Sequence, residues 1–370
     1  MIALKRMTVM LLVVLLLFET VHFHADALSA HAAVCINGDT GEVIFFRNAD
    51  ERLPMASTTK IMTALLLCEQ NSLEREVVVT HEMVAVEGSS MGLLVGDTVS
   101  FRGLLYGMLL ASGNDAANTA AIAIDGSVEA FVERMNLKAR EIGLVDTNFV
   151  TPSGLDAKEH YTTARELALL ARYALKNEDF AEAASSQYEA LYYGNPPYRR
   201  TLKNHNRLLS MYEGTIGVKT GFTKKSGRCL VSAAKKNGEY VIAVTLNASD
   251  DWNDHIQLLD LGFSEINTSV LSEKEVFCIP LTSGDGVLKV GHDALSTTAI
   301  DINDVSKTVS LPHFVYGEVV AGEAVGQIVF SKNGEEIAKS DIVALNDVPK
   351  CTWDEKKLFF DIFLNILSFF

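Results

Sequence analysis

The chain has 370 residues, a net charge of −15 and 48% apolar residues. That length suits one large domain plus a smaller one, and the apolar fraction is enough for a sizeable core. The acidic balance, with Lys and Arg dispersed rather than in blocks, excludes nucleic acid as a partner.

Residues 1–27 carry the pattern of an export signal peptide. Lys5 and Arg6 precede a run from Met7 to Phe18 that is apolar except for Thr8, and Ala25-Asp26-Ala27 fits an A-x-A cleavage site. The run is shorter than the ~20 residues a spanning helix needs, so export is expected, with an uncleaved anchor as the alternative.

Residues 28–266 mix strand and helix periods. Ala33 to Asn37 and Glu42 to Phe46 flank Gly38-Asp39-Thr40-Gly41 and predict a hairpin. A helix is predicted from near Ser57 through Leu67, and another over Thr163 to Leu175, where apolar residues recur at helical spacing. Gly227 to Ala234 and Tyr240 to Leu246 are joined by Lys236-Asn237-Gly238-Glu239, and Asn-Gly fits a type I′ turn.

From Asn267 the helical periods give way to short β-like runs: Val276–Ile279, Val287–Val290, Thr308–Leu311, Gln327–Phe330 and Glu336–Val343. These predict a small all-β module over residues 267–350. The last segment, 351–370, is different again. Leu358 to Phe370 is almost wholly large and apolar, and its polar Asp361, Asn365 and Ser368 fall on one helix face. Thirteen helical residues rise only about 20 Å, too short for a ~30 Å hydrocarbon core. An amphipathic helix lying on the membrane surface is expected, with a helix docked on its own protein as the alternative.

The five cysteines, Cys35, Cys68, Cys229, Cys278 and Cys351, show no metal-ligand spacing and no disulfide framework. Most are expected to be buried small hydrophobes, and one pair could bridge. His81, His160, His205, His255, His292 and His313 are spread out without H-E-x-x-H or paired spacing, so a metallopeptidase is not expected.

Three short motifs occur in order: Ser57-Thr58-Thr59-Lys60 (S-x-x-K), Ser112-Gly113-Asn114 (S-x-N) and Lys219-Thr220-Gly221 (K-T-G). Each is weak alone. A second S-x-x-K at Ser232–Lys235 and a second S-x-N at Ser331–Asn333 sit beside predicted turns at strand ends and read as chance. Residues i and i+3 share a helix face, so a Ser57 hydroxyl and a Lys60 amine can meet. At a helix start, backbone N–H groups and the dipole favour developing negative charge. A lysine acts as a base only when neutral, and burial near a second cation, Lys219, would lower its pKa. The plainer alternative is an N-capping Ser57 with a solvated Lys60.

This trio resembles the penicillin-recognising serine enzymes, and more narrowly the low-molecular-mass penicillin-binding proteins of peptidase family S11, which are serine D-Ala-D-Ala carboxypeptidases. Leu53 to Ala64, Leu110 to Ala117, Asn204 to Leu209, Gly217 to Thr223 and Gly227 to Ser232 all carry the likeness. The resemblance implies an α/β (α+β) catalytic domain with a central antiparallel sheet and flanking helices, followed by a small all-β domain and a C-terminal amphipathic helix. It also implies that Ser57 attacks the carbonyl between two terminal D-alanines, Lys60 takes its proton, and Ser112 relays a proton to the leaving amine. Asn114 and Lys219 would hold and polarise the substrate, Thr220 would bond its carboxylate, and Ser57 and Phe222 N–H groups, beside Gly221, would form an oxyanion hole. The chemistry so implied needs no metal or organic cofactor. Peptidoglycan stem peptides are the implied substrate, β-lactam antibiotics the implied acylating inhibitors, and the outer face of the cytoplasmic membrane the implied location.

Some relatives hold the substrate carboxylate with an arginine after the strand that follows K-T-G. Here Asn247 to His255 contains none, so Thr220 or Arg228 is expected to take that contact. A β-lactamase would need a second carboxylate base. The nearest candidate, Glu166-Leu167-Ala168-Leu169-Leu170, lacks the Asn of an E-x-x-L-N segment and lies in a predicted helix. A catalytically idle peptidoglycan-binding protein would be expected to have lost one of Ser57, Lys60, Ser112 or Lys219, and all are present.

Overall fold

The computed structural model describes residues 28–349, apart from 71, 282–286, 300–302, 316 and 333. The expected signal peptide and the expected amphipathic tail lie outside the described residues. The chain divides into two compact units, Met1–Glu265 and Ile266–Phe370.

The larger unit is built on a five-stranded antiparallel sheet. Its strands are β1 (Ala32–Asn37), β2 (Val43–Arg47), β7 (Thr215–Thr223), β8 (Gly227–Lys236) and β9 (Glu239–Ala248), in the order β2-β1-β9-β8-β7. β1 is buried along its whole length, which requires cover on both faces. One face, carrying Val34, Ile36, Val231, Ile242 and Val244, shares a core with helices α1 (Lys60–Cys68) and α6 (Ala164–Ala174). The other face meets α9 (Asp251–Glu265). Its Cys35 thiol donates to the Leu258 carbonyl, and Ser232 and Thr245 hydroxyls bracket the His255 ring at 2.5 and 2.9 Å. Burial drives the His255 imidazolium pKa down to about 3, so the ring is held neutral. The β8–β9 turn has Asn237 at φ 53° and Gly238 at φ 86°, the two left-handed residues a type I′ turn requires.

A helical region fills the space beside this sheet. It includes α3 (Phe101–Leu109), α4 (Asn114–Asp125) and α5 (Val128–Ile142). Ser100 and Ser127 accept from the backbone at the starts of α3 and α5, while Gly126 and Gly143 end α4 and α5 in the left-handed conformation. A second sheet, which the residue pattern does not announce, joins β3 (Glu76–Val78), β4 (Thr98–Ser100), β5 (Tyr188–Gly194) and β6 (Pro197–Lys203) in that order.

The smaller unit is all β among its described residues. One sheet has the order β11-β12-β16-β15-β14, and β10 (Asn267–Ser272) pairs with β13 (Leu295–Ala299). Ile279, Leu288, Val290, Ile328, Phe330 and Ile342 make its core. The expected runs correspond to β11 (Glu275–Pro280), β12 (Val287–His292), β14 (Ser306–Ser310), β15 (Ala324–Lys332) and β16 (Glu335–Ala344). The α/β class with a small all-β part is therefore as the sequence implies. Among the cysteines, Cys35, Cys68 and Cys229 are buried free thiols, while Cys278 is exposed; Cys351 lies outside the described residues.

One local expectation is corrected. Ser57 does not begin an α-helix: residues Ala56–Thr59 form a 3-10 turn, and the α-helix starts at Lys60. The second S-x-x-K, Ser232–Lys235, does lie at the end of β8 beside the Asn237-Gly238 turn, and its serine bonds His255 rather than a lysine.

Candidate active site

The three motifs converge on one cleft of the larger unit. Ser57, Ser112, Thr220, Gly221 and Phe222 line it, joined by Ser89, His205, Arg228, Asp251 and Trp252. Lys60 and Lys219 lie behind this lining, 0% and 1% exposed.

Backbone geometry sets the nucleophile. Ala56, just before Ser57, holds φ at 47°, a left-handed conformation that costs roughly 1–3 kcal/mol and is sustained by its surroundings. Thr58 and Thr59 hydroxyls cap the turn by donating to the Met55 and Ala56 carbonyls at 2.6 and 2.8 Å. The Thr59 hydroxyl is also 2.8 Å from His160 Nε2. Strand β7 passes directly alongside. A Cβ on Gly221 would sit 3.0 Å from the Ser57 nitrogen and 3.1 Å from the Met55 carbonyl oxygen, so only glycine lets the strand approach this closely.

Lys60, one helical turn on, reaches three oxygens: Ser57 Oγ at 3.0 Å, Asn114 Oδ1 at 2.7 Å and the Ser153 carbonyl at 2.6 Å. Burial first, and the nearby Lys219 charge second, hold its pKa well below that of a free lysine, against a smaller opposing pull from Asp115. Burial alone pushes Lys219 down to about 7, and its Nζ donates to the Thr220 carbonyl at 2.8 Å. The solvated-lysine alternative therefore fails.

Ser112 follows α3 and takes φ 58°, the second strained residue of the cleft. Asn114 opens α4. Its Oδ1 accepts from Lys60, and its Nδ2 donates to the Glu87 carbonyl at 2.7 Å. One amide proton remains for another partner. Asp115 anchors the adjoining loop by accepting from Ser90 Oγ and from the Met91, Gly92 and Leu93 amides at 2.6–3.0 Å.

On β7, alternation sends Lys219 and Thr220 to opposite faces. Lys219 pairs with Val231, toward the helical region, while Phe222 pairs with Arg228 on the face shared by Thr220. Arg228 Nε donates to Asp251 Oδ1 at 2.8 Å, and its guanidinium lies 5.4 Å from the Trp252 ring centre. Asp251 is 2% exposed, and burial raises its pKa despite the arginine. Arg228 is 41% exposed, so part of the guanidinium stays open to the cleft.

Glu166 does not reach the cleft lining. Its two oxygens accept from the Asp146 amide at 2.7 Å and the Thr147 hydroxyl at 2.5 Å, deep in another part of the fold. The sequence reading missed Ser89, Asp251 and Trp252, and it missed the Ser153 carbonyl altogether. The Thr151-Pro152-Ser153-Gly154 turn signature was the one signal pointing to that last contact.

Comparison with known proteins agrees with this geometry. D-alanyl-D-alanine carboxypeptidase DacF of Bacillus subtilis is 34% identical over 342 residues, covering 87% of this chain and 86% of the relative. The crystal structure of the Streptomyces K15 DD-transpeptidase superposes with a TM-score of 0.62 at 33% identity, over 64% of this chain and 98% of that one. D-alanyl-D-alanine carboxypeptidase DacD of Francisella tularensis superposes with a TM-score of 0.63 at 27% identity, over 88% of this chain and 94% of that one. With residues 19–250 matching peptidase family S11 as well, this chain belongs to the D-alanyl-D-alanine carboxypeptidase family.

Proposed function

We propose that this protein is a serine D-Ala-D-Ala carboxypeptidase that removes the terminal D-alanine of peptidoglycan stem pentapeptides through an acyl-enzyme on Ser57. The carrying observation is the set of partners around Lys60 Nζ. A neutral amine has two hydrogens and one lone pair. The Asn114 Oδ1 and Ser153 carbonyl oxygens can only accept, so they take both hydrogens. The third direction, toward Ser57 Oγ, is left for the lone pair. Burial and Lys219 favour that neutral form.

In this reading Lys60 takes the hydroxyl proton as Ser57 Oγ attacks the penultimate carbonyl. The Ser57 and Phe222 N–H groups stabilise the oxyanion, worth roughly 3–4 kcal/mol per donor. Ser112 passes a proton to the departing D-alanine amine, with Lys219 supplying charge nearby. Asn114 holds Lys60 and offers its free amide proton to the substrate. Water then hydrolyses the ester. Penicillins acylate the same serine by opening of the lactam ring. Export through segment 1–27 and interfacial attachment through 351–370 would place this chemistry at the outer face of the cytoplasmic membrane, a reading that rests on the sequence pattern.

An exopeptidase must sense a free carboxylate. Thr220 and Arg228 share one face of the cleft, and we assign them that contact. A charge-assisted hydrogen bond contributes about 1.5–3 kcal/mol, so Arg228→Ala is expected to lower kcat/KM for a diacyl-Lys-D-Ala-D-Ala peptide by about 10–100-fold. D-alanine release measured by a coupled oxidase assay tests both parts. No release by the wild type would remove the carboxypeptidase reading, whereas unchanged kcat/KM in both Arg228→Ala and Thr220→Ala would remove the carboxylate assignment alone.

A further inference from the structure

Strands β5 and β6 form a hairpin whose two faces differ in kind. The inner face is fastened to the loop beside the cleft. Tyr193 is 1% exposed and donates its hydroxyl to the Met91 carbonyl at 2.8 Å, while Arg200 is sandwiched 4.3 Å from both the Tyr193 and Tyr198 ring centres. The pairing of Tyr188 with Lys203, Ala190 with Thr201 and Tyr192 with Arg199 puts these six residues on the outer face. Tyr188 and Tyr192 are 56% and 71% exposed there. Lys203 lies 5.7 Å from the Tyr188 ring centre, and Arg199 stands opposite Tyr192.

We propose that this outer face is a docking surface for the saccharide strand of the wall polymer whose stem peptide enters the cleft. The proposal rests on the carboxypeptidase reading given above. Three observations favour that occupant. The tyrosines are four residues apart, roughly 13 Å along the strand at ~3.3 Å per residue, which suits an extended polymer better than a compact ligand. Their rings are flat, amphipathic and stiff, and so offer stacking area to sugar rings at low entropic cost. On a chain of net charge −15, Arg199 and Lys203 make this face locally basic, complementary to a polymer bearing carboxylates on its stem peptides. The surface is also continuous with the site. β6 runs directly into Asn204 and His205; His205 lines the cleft, and its amide donates to the Leu110 carbonyl at 3.2 Å, two residues before Ser112.

The test uses the exported chain and a Tyr188→Ala/Tyr192→Ala double variant, with Tyr192→Trp as a conservative control. Two readouts are needed: D-alanine release from pentapeptide-bearing peptidoglycan against release from a soluble diacyl-Lys-D-Ala-D-Ala peptide, and cosedimentation with glycan strands stripped of their stem peptides. The double variant is expected to lose about tenfold in kcat/KM on the polymer, through KM, and about tenfold in affinity for stripped glycan. Its constants on the soluble peptide should match the wild type, and Tyr192→Trp should keep polymer activity. Equal losses on polymer and peptide, no loss on either polymer or stripped glycan, or hairpin-dependent binding to anionic phospholipid vesicles instead of glycan would each overturn the proposal. A wild type that binds stripped glycan through the hairpin yet releases no D-alanine from any substrate would overturn only the carboxypeptidase reading.

Discussion

Lys60→Arg is expected to slow acylation of Ser57 by about 10²–10⁴-fold, the usual contribution of a positioned general base. Arginine keeps a cation in place but cannot shed its proton under any condition the fold survives, and its planar fork does not fit three oxygens grouped around a single nitrogen. The wild type carries a matching signature in its pH dependence. Because burial and Lys219 hold the Lys60 pKa far below 10.5, the neutral amine becomes available at correspondingly lower pH. Acylation by a fluorescent penicillin should therefore climb with pH as Lys60 loses its proton, then fall above about 7 as Lys219 loses the charge that supports the reaction. The arginine variant, shown to be folded by its thermal transition, should lack that rising limb. A variant that kept both the rate and the limb would place the base elsewhere.

The second large effect is expected from a residue that does no chemistry. Gly154 follows the Ser153 carbonyl that holds Lys60, and its φ is 88°. A Cβ added there would lie 1.9 Å from the Ala56 carbonyl oxygen, 2.5 Å from its carbon and 2.8 Å from Thr59 Oγ1. Two of those atoms are backbone of the nucleophile turn and cannot rotate aside. Gly154→Ala should destabilise the larger unit by roughly 2–5 kcal/mol, combining conformational strain with overpacking. It should also cost about 100-fold in acylation, because displacing the Ser57 turn by an ångström spoils the attack geometry. Gly143→Ala separates the two causes. Its φ is 91°, but a Cβ there meets nothing within 4 Å, so it should show the strain without the loss of acylation. Equal effects in the two variants would mean that the contact with Ala56 is unimportant.

How much of this was legible in the sequence follows from which interactions are local. Ser57 and Lys60 meet because they are one helical turn apart, and the Asn237-Gly238 turn is written in residues that tolerate positive φ. The K-T-G segment was readable as the third of three motifs in order, and the structure adds the steric reason for Gly221. The distant parts were not readable. Ser153 acts through its carbonyl, which any residue carries, and Asp251 and Trp252 enter the cleft because α9 begins beside Arg228. The β5–β6 hairpin was missed because its Tyr-rich run follows no clean alternation and its turn, Asn195-Pro196, is not an Asn-Gly type. Ser57 itself was placed on a helix, whereas the left-handed Ala56 tightens the chain into a 3-10 turn first.

The most direct single measurement is the site and fate of the covalent intermediate. The protein is mixed briefly with a labelled penicillin or a D-Ala-D-Ala peptide, quenched in acid, digested and mapped by mass spectrometry. The arrangement of Lys60, Asn114 and Ser153 around Ser57 predicts one ester, on Ser57, with D-alanine released in step with turnover of the peptide and both signals lost in Ser57→Ala. An adduct on another residue, or D-alanine release that persists in Ser57→Ala, would contradict it.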